Sequence, residues 1–265
     1  MIFNTLSIAG TDPSGGAGVQ ADLKTFSALG TFGLSVITLV VAQNTQGVAG
    51  LHQISGEFVT KQLDVLFDDV RVDSVKIGTL GNAEVIRAVA TALRQYQPRY
   101  IVLDPVMVAT SGDQLLADEA RDVLRNELLP LVDLITPNIP EAAQLLNRGE
   151  ATSEAEMADQ CEELYQLGTG VLIKGGHLSG KESVDLLKIE GKTMRLVAPR
   201  VLTRNTHGTG CTLSAAIAAL RPQREDWSTA VSEAKAYLTS SLSASELLQV
   251  GHGAGPVHHF HAIWP

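Results

Sequence analysis

Short apolar runs alternate along the chain with amphipathic stretches in which apolar residues recur at helical spacing. In the first such stretch Val19, Leu23 and Phe26 share one face, and Gly30 closes the helix. The apolar runs predict buried strands at residues 6–9, 34–42, 75–77, 100–103, 131–135 and 171–173. The amphipathic stretches predict helices at residues 19–29, 59–70, 85–93, around 161–167, 209–220 and 227–248. Two further strands, 184–189 and 194–197, flank the turn 190–192 and predict a hairpin.

Strands separated by helices of this length predict a mainly parallel sheet, because right-handed crossovers place helices on both of its faces. The fold class is therefore α/β, a three-layer α/β/α sandwich. No proline- or serine-rich linker and no repeat interrupts the series, so we expect residues 1–265 to form a single domain. Ligands of such sheets bind beyond the carboxyl ends of the strands. The polar residues that follow the strands are therefore the first candidates for a site.

Composition narrows the class of function. The chain is 45% hydrophobic and 18% charged, which is typical of a globular protein with a large core. Its 20 Lys+Arg against 29 Asp+Glu give a net charge of −9 without a basic block, so we expect no nucleic-acid binding. The longest apolar run, residues 36–42, is too short to span a bilayer, so no membrane association is expected. With only Cys161 and Cys211, no disulfide framework exists, and we expect a soluble cytoplasmic protein.

The segment from Thr206 to Thr212 reads Thr-His-Gly-Thr-Gly-Cys-Thr and runs directly into an alanine- and leucine-rich helix. Gly208 and Gly210 let backbone N–H groups approach a ligand closely, and the positive end of the helix dipole points at the same place. This arrangement suits a phosphate or a developing negative charge. Cys211 lies in the same field, so the sequence predicts a thiol with a lowered pKa that can act as a base.

Polar side chains also follow the predicted strands. Because parallel strands end at one edge of a sheet, we expect these side chains to share one site. Lys174 is the most informative of them, since lysine is not a turn former and here it directly follows a buried strand. The strand-end segments are Gly10-Thr11-Asp12, Gln43-Asn44-Thr45, Asp104-Pro105-Val106-Met107, Thr136-Pro137-Asn138 and Lys174-Gly175-Gly176-His177.

Two carboxylates in this set, Asp104 and Glu141, suit a Mg²⁺ ion held largely through water molecules and phosphates. Glu141 is equally well placed as a first-turn carboxylate of a helix with Asn138 as N-cap and Pro140 in the first turn, and the two roles are compatible.

The chain contains no G-x-x-x-x-G-K-[ST] motif, which excludes P-loop chemistry. No G-x-G-x-x-G follows the first strand, so a nicotinamide-binding domain is weakly supported.

The histidines of the segment 251–261 lack the i, i+4 spacing of a helical zinc site and have no cysteine partners, so a metal site there is disfavoured. Cys161 lies on the apolar face of its helix and is interpreted as a core residue.

Seven blocks of sequence in this order resemble the hydroxymethylpyrimidine/phosphomethylpyrimidine kinases of thiamine biosynthesis, which belong to the ribokinase-like superfamily. The resemblance covers essentially the whole chain. The blocks are 9–25, 42–45, 104–107, 136–138 with Glu141, 174–177, 208–211 and 251–259.

The resemblance implies a ribokinase-like fold and ATP-dependent phosphorylation of 4-amino-5-hydroxymethyl-2-methylpyrimidine, then of its monophosphate. It also implies a homodimer that takes the pyrimidine and ATP as small-molecule partners, with Mg²⁺ as cofactor. The implied residues fall into four groups by role. In catalysis, Cys211 would act as the base, together with Lys174 and the backbone amides of Gly208, Thr209, Gly210 and Cys211. The pyrimidine would contact Gln43, Gly10, Asp22 and Val106. The ATP phosphates would contact Lys174, Asn138, Thr206, Gly208 and Gly210, and Mg²⁺ would be held by Asp104 and Glu141.

Two positions depart from the family pattern. Gln43 stands where some members have Glu, and Thr79 stands where Met is common. Three alternatives stay open at this point. A pyridoxine/pyridoxal kinase shares the fold and the cysteine-containing loop. A sugar or nucleoside kinase is disfavoured because such enzymes usually carry Asp where this chain has Cys211, and a non-catalytic ligand sensor is disfavoured because it has no need of Lys174, Glu141 and Cys211 together.

Overall fold

A computed structural model describes residues 1–107, 116 and 118–264. Within these residues the strands are β1 (Asn4–Ala9), β2 (Phe32–Ile37), β3 (Leu39–Asn44), β4 (Gly47–Gln53), β5 (Ser74–Ile77), β6 (Ile101–Leu103), β7 (Leu134–Ile135), β8 (Gly170–Lys174), β9 (Glu182–Ile189) and β10 (Lys192–Pro199). The α-helices described there are α1 (Gly18–Ala28), α2 (Gly56–Asp69), α3 (Ala83–Tyr96), α4 (Asp118–Val123), α5 (Ile139–Leu146), α6 (Glu154–Tyr165), α7 (Thr209–Leu220) and α8 (Trp227–Ser243).

The described strands form an eight-stranded sheet in the order β10-β9-β8-β7-β6-β5-β1-β2 and a separate two-stranded sheet of β3 and β4. The strands from β8 through β7, β6, β5 and β1 to β2 are all parallel to their neighbours. The hairpin of β9 and β10 adds two antiparallel pairings at the other edge. The sequence predictions of a mainly parallel sheet and of this hairpin are confirmed.

Alternate residues of the central strands point into two different cores. Leu103 belongs to the core under α2, α3, α5 and α6, whereas its neighbour Val102 belongs to the core under α1, α7 and α8. The same alternation separates Ile173 from Leu172 on β8. Successive side chains of a strand point to opposite faces of the sheet. When both faces are buried, every position needs an apolar residue, and this is why these strands are continuous apolar runs. The three-layer α/β/α prediction is confirmed.

Cys161 packs in the first of these cores, as predicted from its place on the apolar face of α6. Burial raises the pKa of its thiol to about 12. Among the described residues, no helix combines the length and the apolar character required to cross a membrane.

The predicted strand at residues 34–42 is wrong as a single element. The chain breaks at Thr38, whose N–H donates to the Ala9 carbonyl (3.1 Å) and whose hydroxyl donates to the Thr79 carbonyl (2.6 Å). After this break β3 leaves the main sheet and pairs with β4. The hairpin of β3 and β4 was missed because the β4 sequence contains two glycines and little apolar alternation.

Two other boundaries differ from the sequence prediction. The strand predicted at 131–135 is reduced to β7, because the segment Leu129–Leu131, which contains Pro130, forms a 3₁₀ turn instead. The helix predicted to end at residue 248 ends at Ser243 and is followed by a 3₁₀ turn at Ser245–Leu247.

We expect Thr38→Val to lower the free energy of unfolding by about 1–3 kcal/mol, because valine keeps the shape of threonine but leaves the partly buried Thr79 carbonyl without the hydroxyl group that donates to it. Chemical denaturation of the purified variant measures this change. Thr91→Val is the matched control, since the exposed Thr91 hydroxyl bonds only to a carbonyl of its own helix. Equal stabilities of the two variants would show that the Thr38 bond does not hold the break between β2 and β3.

Candidate active site

A cavity of about 680 Å³ lies at the carboxyl ends of the parallel strands. Its walls come from the segments that follow β1, β6, β7 and β8, from β3, and from the start of α7. A shared site at the strand ends was predicted, and the structure brings almost all the candidate residues together there. The candidates that line the cavity are Gly10, Gln43, Asp104, Val106, Asn138, Glu141, Lys174, Thr206, Gly208, Thr209, Gly210 and Cys211.

Lys174 is the last residue of β8, and its ammonium lies between two carboxylates. Its Nζ is 2.8 Å from Asp104 Oδ1 and 3.8 Å from Glu141 Oε2. The Asp104 carboxylate also accepts hydrogen bonds from the hydroxyls of Thr136 (3.1 Å) and Ser214 (3.4 Å). Since each of these groups comes from a different element, the parallel sheet is what places them together.

The charges of this cluster perturb one another. The pKa of Glu141 is raised to about 7, because burial and the Asp104 carboxylate together outweigh the opposing effect of Lys174. Burial by itself lowers the pKa of the Lys174 ammonium, but the Asp104 and Glu141 carboxylates outweigh it and raise that pKa. Lysine therefore stays protonated, and the two carboxylates together carry more negative charge than it balances.

Glu141 is held by the start of α5. Its Oε2 accepts the Asn138 N–H (2.7 Å), while the Glu141 N–H donates to Asn138 Oδ1 (2.8 Å), so the two residues form a capping box with Pro140 in the first turn. The predicted helix cap is confirmed. The Glu141 carboxylate also accepts a backbone hydrogen bond from Met107, so the segment after β6 holds it as well as the cap.

Asp104 and Glu141 fit a magnesium ion of the kind that is bound mainly through water and phosphate oxygens. Within the part of the chain that the structure describes, no group of three His, Cys, Asp or Glu side chains forms a metal cage. Mg²⁺ commonly needs only one or two protein carboxylates when a nucleotide supplies the other oxygens. The excess negative charge beside Lys174 is an environment of that type.

The start of α7 forms the opposite side of this cluster. The helix begins at Thr209, as predicted, and Gly208 precedes it with a φ of 76°. Position 208 requires glycine for two reasons. Its φ is positive, and a Cβ there would overlap the carbonyl oxygen of Gly16. A Cβ on Gly210 would lie 3.2 Å from Lys174 Nζ and 3.3 Å from Asp104 Oδ2. The helix start therefore meets the Lys174–Asp104 pair at close range.

At the start of α7 the Thr209 N–H donates to the Thr206 carbonyl (3.4 Å), whereas the N–H groups of Gly210 and Cys211 have no acceptor in the described part of the chain. No side chain in the described part of the chain caps this helix, and the first N–H groups of any α-helix lack partners within the helix. Together with the helix dipole they favour an anion, as the sequence predicted.

Cys211 is partly exposed in the cavity. Burial raises the pKa of its thiol to about 11, and the nearby Asp22 and Asp104 carboxylates add to this, whereas the Lys76 ammonium lowers it. The prediction of a lowered pKa is therefore wrong for this protein. The helix start and Lys76 favour the thiolate, but they do not outweigh desolvation and two carboxylates. At pH 7 the thiol is protonated.

The glycine-rich turn after β1 binds a carboxylate of this chain. The buried Asp12 side chain accepts the N–H groups of Ser14 (2.8 Å), Gly16 (3.1 Å) and Ala17 (2.7 Å), and it lies 2.7 Å from His207 Nε2. Burial alone would raise the pKa of Asp12, but these hydrogen-bonding partners, His207 first, lower it well below its usual range. Because Asp12 fills this amide nest, phosphate is left to the start of α7.

Sequence reasoning placed Asp12 at a strand end but did not identify its contact with His207. These residues are 195 positions apart in the chain, so no local pattern could have indicated the pair. Asp12 also hydrogen-bonds the side chain of Gln43, which connects the substrate side of the cavity to the loop before α7.

Asp22 lies beneath the cavity, which corrects the expectation that it lines the pocket. Its side chain is fully buried and forms an ion pair with Lys76, with Nζ–Oδ distances of 2.9 and 2.8 Å. The Ser7 hydroxyl donates to Asp22 Oδ2 at 2.5 Å. Asp22 was placed by resemblance alone, whereas Lys76 lies in the middle of an otherwise apolar strand and was missed.

Gln43 and Thr79 lie on the side of the cavity nearest the β3–β4 hairpin. The pairing register of β3 with β4 shifts between Ala42 and Gln43, and the Val41 N–H donates to Thr11 Oγ1 (3.0 Å). A bulge redirects side chains locally. The hairpin is thereby fastened to the segment after β1, with the Gln43 amide at the cavity wall.

The C-terminal histidines are structural. The His259 ring is buried and lies 3.1 Å from Thr212 Oγ1, and burial lowers its pKa to about 3, so that it is neutral. The His207 N–H donates to the Gly255 carbonyl (3.0 Å), which ties the tail to the loop before α7.

Comparison with known proteins gives concordant results. The family model for phosphomethylpyrimidine kinase matches residues 12–258. The chain is 56% identical over 263 residues to the hydroxymethylpyrimidine/phosphomethylpyrimidine kinase of Escherichia coli strain K12, with 99% of both chains covered.

Two crystal structures share the fold. One is an ADP complex of Bacillus subtilis pyridoxal kinase, which is 32% identical with a TM-score of 0.91 and 99% of both chains covered. The other is the phosphomethylpyrimidine kinase of Clostridium difficile 630, which is 41% identical with a TM-score of 0.80, covering 91% of this chain and 99% of that one.

We expect Asp12→Asn to lower the free energy of unfolding at pH 7 by about 2–3 kcal/mol, because charge-assisted hydrogen bonds to a buried carboxylate are lost. The folded pKa of Asp12 is lowered, so its contribution is present above the pKa of the unfolded chain and is lost as the pH falls. Denaturation curves should therefore converge for the variant and the unaltered protein as the pH drops below about 4.

Asp226→Asn is the control for this experiment. Asp226 is an exposed N-cap of α8, and asparagine caps a helix equally well, so the loss should stay within about 0.5 kcal/mol. A constant difference between Asp12→Asn and the unaltered protein from pH 7 to pH 3 would contradict the assigned ionisation.

Proposed function

Because this chain belongs to the phosphomethylpyrimidine kinase family, we propose that it is a hydroxymethylpyrimidine/phosphomethylpyrimidine kinase of thiamine biosynthesis. It transfers a phosphoryl group from ATP to the hydroxymethyl group of 4-amino-5-hydroxymethyl-2-methylpyrimidine, and a second one to the resulting monophosphate. The observation that carries this proposal is one cavity in which the open start of α7, Cys211 and the Lys174–Asp104–Glu141 cluster meet.

Phosphoryl transfer depends mainly on in-line positioning and on neutralising charge. In this proposal the Lys174 ammonium binds the ATP phosphates, because it is buried, charged and open to the cavity. The N–H groups of Gly208, Thr209, Gly210 and Cys211 stabilise the charge on the transferred group. Asn138 and Thr206 border the same part of the cavity and complete the phosphate site.

Asp104 and Glu141 would hold Mg²⁺ largely through water molecules. When bound, the ion would supply positive charge that neutralises the ATP phosphates. Within the protein, Thr136 and Ser214 orient Asp104, and the capping box orients Glu141. These contacts fix both carboxylates before the nucleotide arrives.

Cys211 acts as the base of the first transfer. Its thiolate takes the proton of the substrate hydroxyl, the alkoxide oxygen attacks the γ-phosphorus, and the bond from phosphorus to the ADP oxygen breaks. In the second transfer the attacking group is an ionised phosphate oxygen, which needs no base. The high pKa of the thiol makes the thiolate a minor species at pH 7, so the first transfer depends on the thiolate fraction.

Gln43, Gly10 and Val106 form the pyrimidine side of the cavity, where the Gln43 amide offers a donor and an acceptor to the ring edge. Thr79 closes this side with a small polar side chain. Asp22 contributes from beneath by holding Lys76.

The protein is proposed to be a cytoplasmic homodimer. The side chains of Phe32 on β2, Val40 on β3 and Leu51 on β4 are apolar and exposed, which supports a subunit interface formed by these three strands. Light scattering after gel filtration tests the assembly.

Purified protein with Mg-ATP should consume two ATP molecules for each hydroxymethylpyrimidine molecule, and its kcat/KM for pyridoxal should be far lower than for hydroxymethylpyrimidine. Coupled detection of ADP with each ring substrate measures both quantities. A higher kcat/KM for pyridoxal would instead establish a pyridoxal kinase, and the absence of transfer to either ring would favour a ligand sensor.

Cys211→Ala should slow the first transfer by about 10²–10⁴-fold and the second far less, because only the first needs a general base. In the unaltered protein the first rate should rise about tenfold per pH unit below the thiol pKa of about 11, while the second stays nearly flat above pH 7. Single-turnover assays with each acceptor measure the two rates. Cys161→Ala is the control, and equal losses in both transfers on Cys211→Ala would rule out the base.

A further inference from the structure

The C-terminal segment 251–259 has no part in the phosphoryl-transfer chemistry described above, although it touches two walls of the cavity. It begins at the tip of the β3–β4 hairpin, passes the loop before α7 and ends against α7 and α8. The hairpin carries Gln43, and the loop leads into Gly208. One continuous stretch of chain therefore joins the pyrimidine side of the cavity to the start of α7.

We propose that Thr45, in the turn of this hairpin, is a positioning residue that fixes the Gln43 amide against the pyrimidine by holding the hairpin tip on the C-terminal segment. This inference rests on the proposed function for the identity of the ring that Gln43 faces. The contact between the hairpin and the C-terminal segment is a property of the protein alone.

Thr45 makes two hydrogen bonds to the C-terminal segment. Its carbonyl accepts the Ala254 N–H (3.0 Å), and its Oγ1 accepts the Gly253 N–H (3.1 Å). Thr45 lies in the turn that joins β3 to β4, and Gln43 is close to that turn at the end of β3. A movement of the turn therefore moves the backbone that carries the Gln43 side chain.

The two segments approach too closely for a side chain to lie between them. A Cβ on Gly253 would overlap the Thr45 carbonyl oxygen, and a Cβ on Gly251 would overlap Thr45 Oγ1. Both contacts are to the same turn residue. These glycines are therefore required by the seat of Thr45 on the segment, in addition to the positive φ of 68° at Gly251.

The other end of the C-terminal segment is fixed without the hairpin. The His207 N–H donates to the Gly255 carbonyl (3.0 Å), and the Tyr237 hydroxyl donates to the His259 carbonyl (2.7 Å). The buried His259 ring lies 3.1 Å from Thr212 Oγ1 of α7. Because these contacts do not involve Thr45, the segment is a fixed support on which the hairpin tip rests.

The hairpin needs support because β3 and β4 stand outside the main sheet. A two-stranded hairpin alone is only marginally stable in water. Its base is held at Leu39, whose carbonyl accepts the Thr11 N–H (3.0 Å), and at Val41, whose N–H donates to Thr11 Oγ1 (3.0 Å). Asp12 acts on the Gln43 side chain itself, whereas Thr45 secures the backbone at the tip.

The test measures the Kd of hydroxymethylpyrimidine by calorimetry without nucleotide, and the KM values of the pyrimidine and of ATP. Thr45→Val keeps the shape but removes the acceptor of the Gly253 N–H, so we expect the Kd and KM of the pyrimidine to rise about 3–10-fold. Gly253→Ala should raise both further, because its Cβ displaces the turn. In Thr45→Val the KM of ATP and kcat should change by less than about twofold, because the contacts of His207 and His259 remain.

Two variants serve as controls. Thr45→Ser keeps a hydroxyl oxygen for the Gly253 N–H and should restore the unaltered Kd. Gly50→Ala adds a methyl group to β4 of the same hairpin, where a Cβ meets nothing within 4 Å, and should leave every constant unchanged. Amide hydrogen exchange of residues 39–53 without ligand should be faster in Thr45→Val and in Gly253→Ala but not in either control.

Unchanged pyrimidine Kd and KM in a folded Thr45→Val protein would overturn the inference, and so would an equal rise in the KM of ATP, which indicates general loosening. If Gly253→Ala does not fold, the comparison of Thr45→Val with Thr45→Ser still decides. A protein that binds the pyrimidine without phosphorylating it would refute the proposed function, and the Kd values of the variants would then judge the inference alone. A protein that does not bind the pyrimidine would refute both.

Discussion

The buried Asp12 carboxylate is the interaction on which the arrangement of the cavity depends. It accepts N–H groups from the glycine-rich turn after β1 and lies against the His207 ring from the loop before α7. If the two segments moved apart while the carboxylate stayed buried, a buried charge would lose its partners, which is costly. The close approach of Gly208 to Gly16 leaves no room for a Cβ at the same junction. The open end of α7 therefore has a fixed position relative to β1.

A second constraint is the distribution of charge at the base of the cavity. Lys174 lies 2.8 Å from Asp104 but 3.8 Å from Glu141, so one ammonium does not satisfy both carboxylates. If ATP phosphates take hydrogen bonds from Lys174, the carboxylates lose part of the charge of the cation that pairs with them. In the proposed function a divalent ion arriving with the nucleotide would restore the balance, which gives a physical reason for nucleotide and metal to bind together.

Much of this architecture was predictable because it is encoded locally. Continuous apolar runs such as that of β8 indicate strands buried on both faces, and polar residues such as Lys174 directly after them indicate a site at the strand ends. The break at Thr38 was not predictable, because it depends on hydrogen bonds to Ala9 and Thr79 from distant segments.

The same holds for the parts of the site that depend on long-range electrostatics. The sequence located the helix start before Cys211, but the pKa of the thiol depends on burial and on charges from Lys76, Asp22 and Asp104. These residues are scattered along the chain and meet only after folding. The one local sign of this network was Lys76, a buried lysine between the apolar residues Val75 and Ile77 of β5.

The high pKa of Cys211 is consistent with one site performing two successive transfers. A carboxylate that is ionised at this position would repel the monophosphate that is the second substrate of the proposed function. A thiol with a pKa of about 11 is neutral at that pH, so it adds no negative charge beside the bound phosphate. In the proposed function the same thiol still supplies a base for the hydroxyl substrate through its minor thiolate form, which the charge of the Lys76 ammonium favours. A cysteine whose protonation is balanced between burial and one buried cation therefore suits both acceptors better than a permanently charged base.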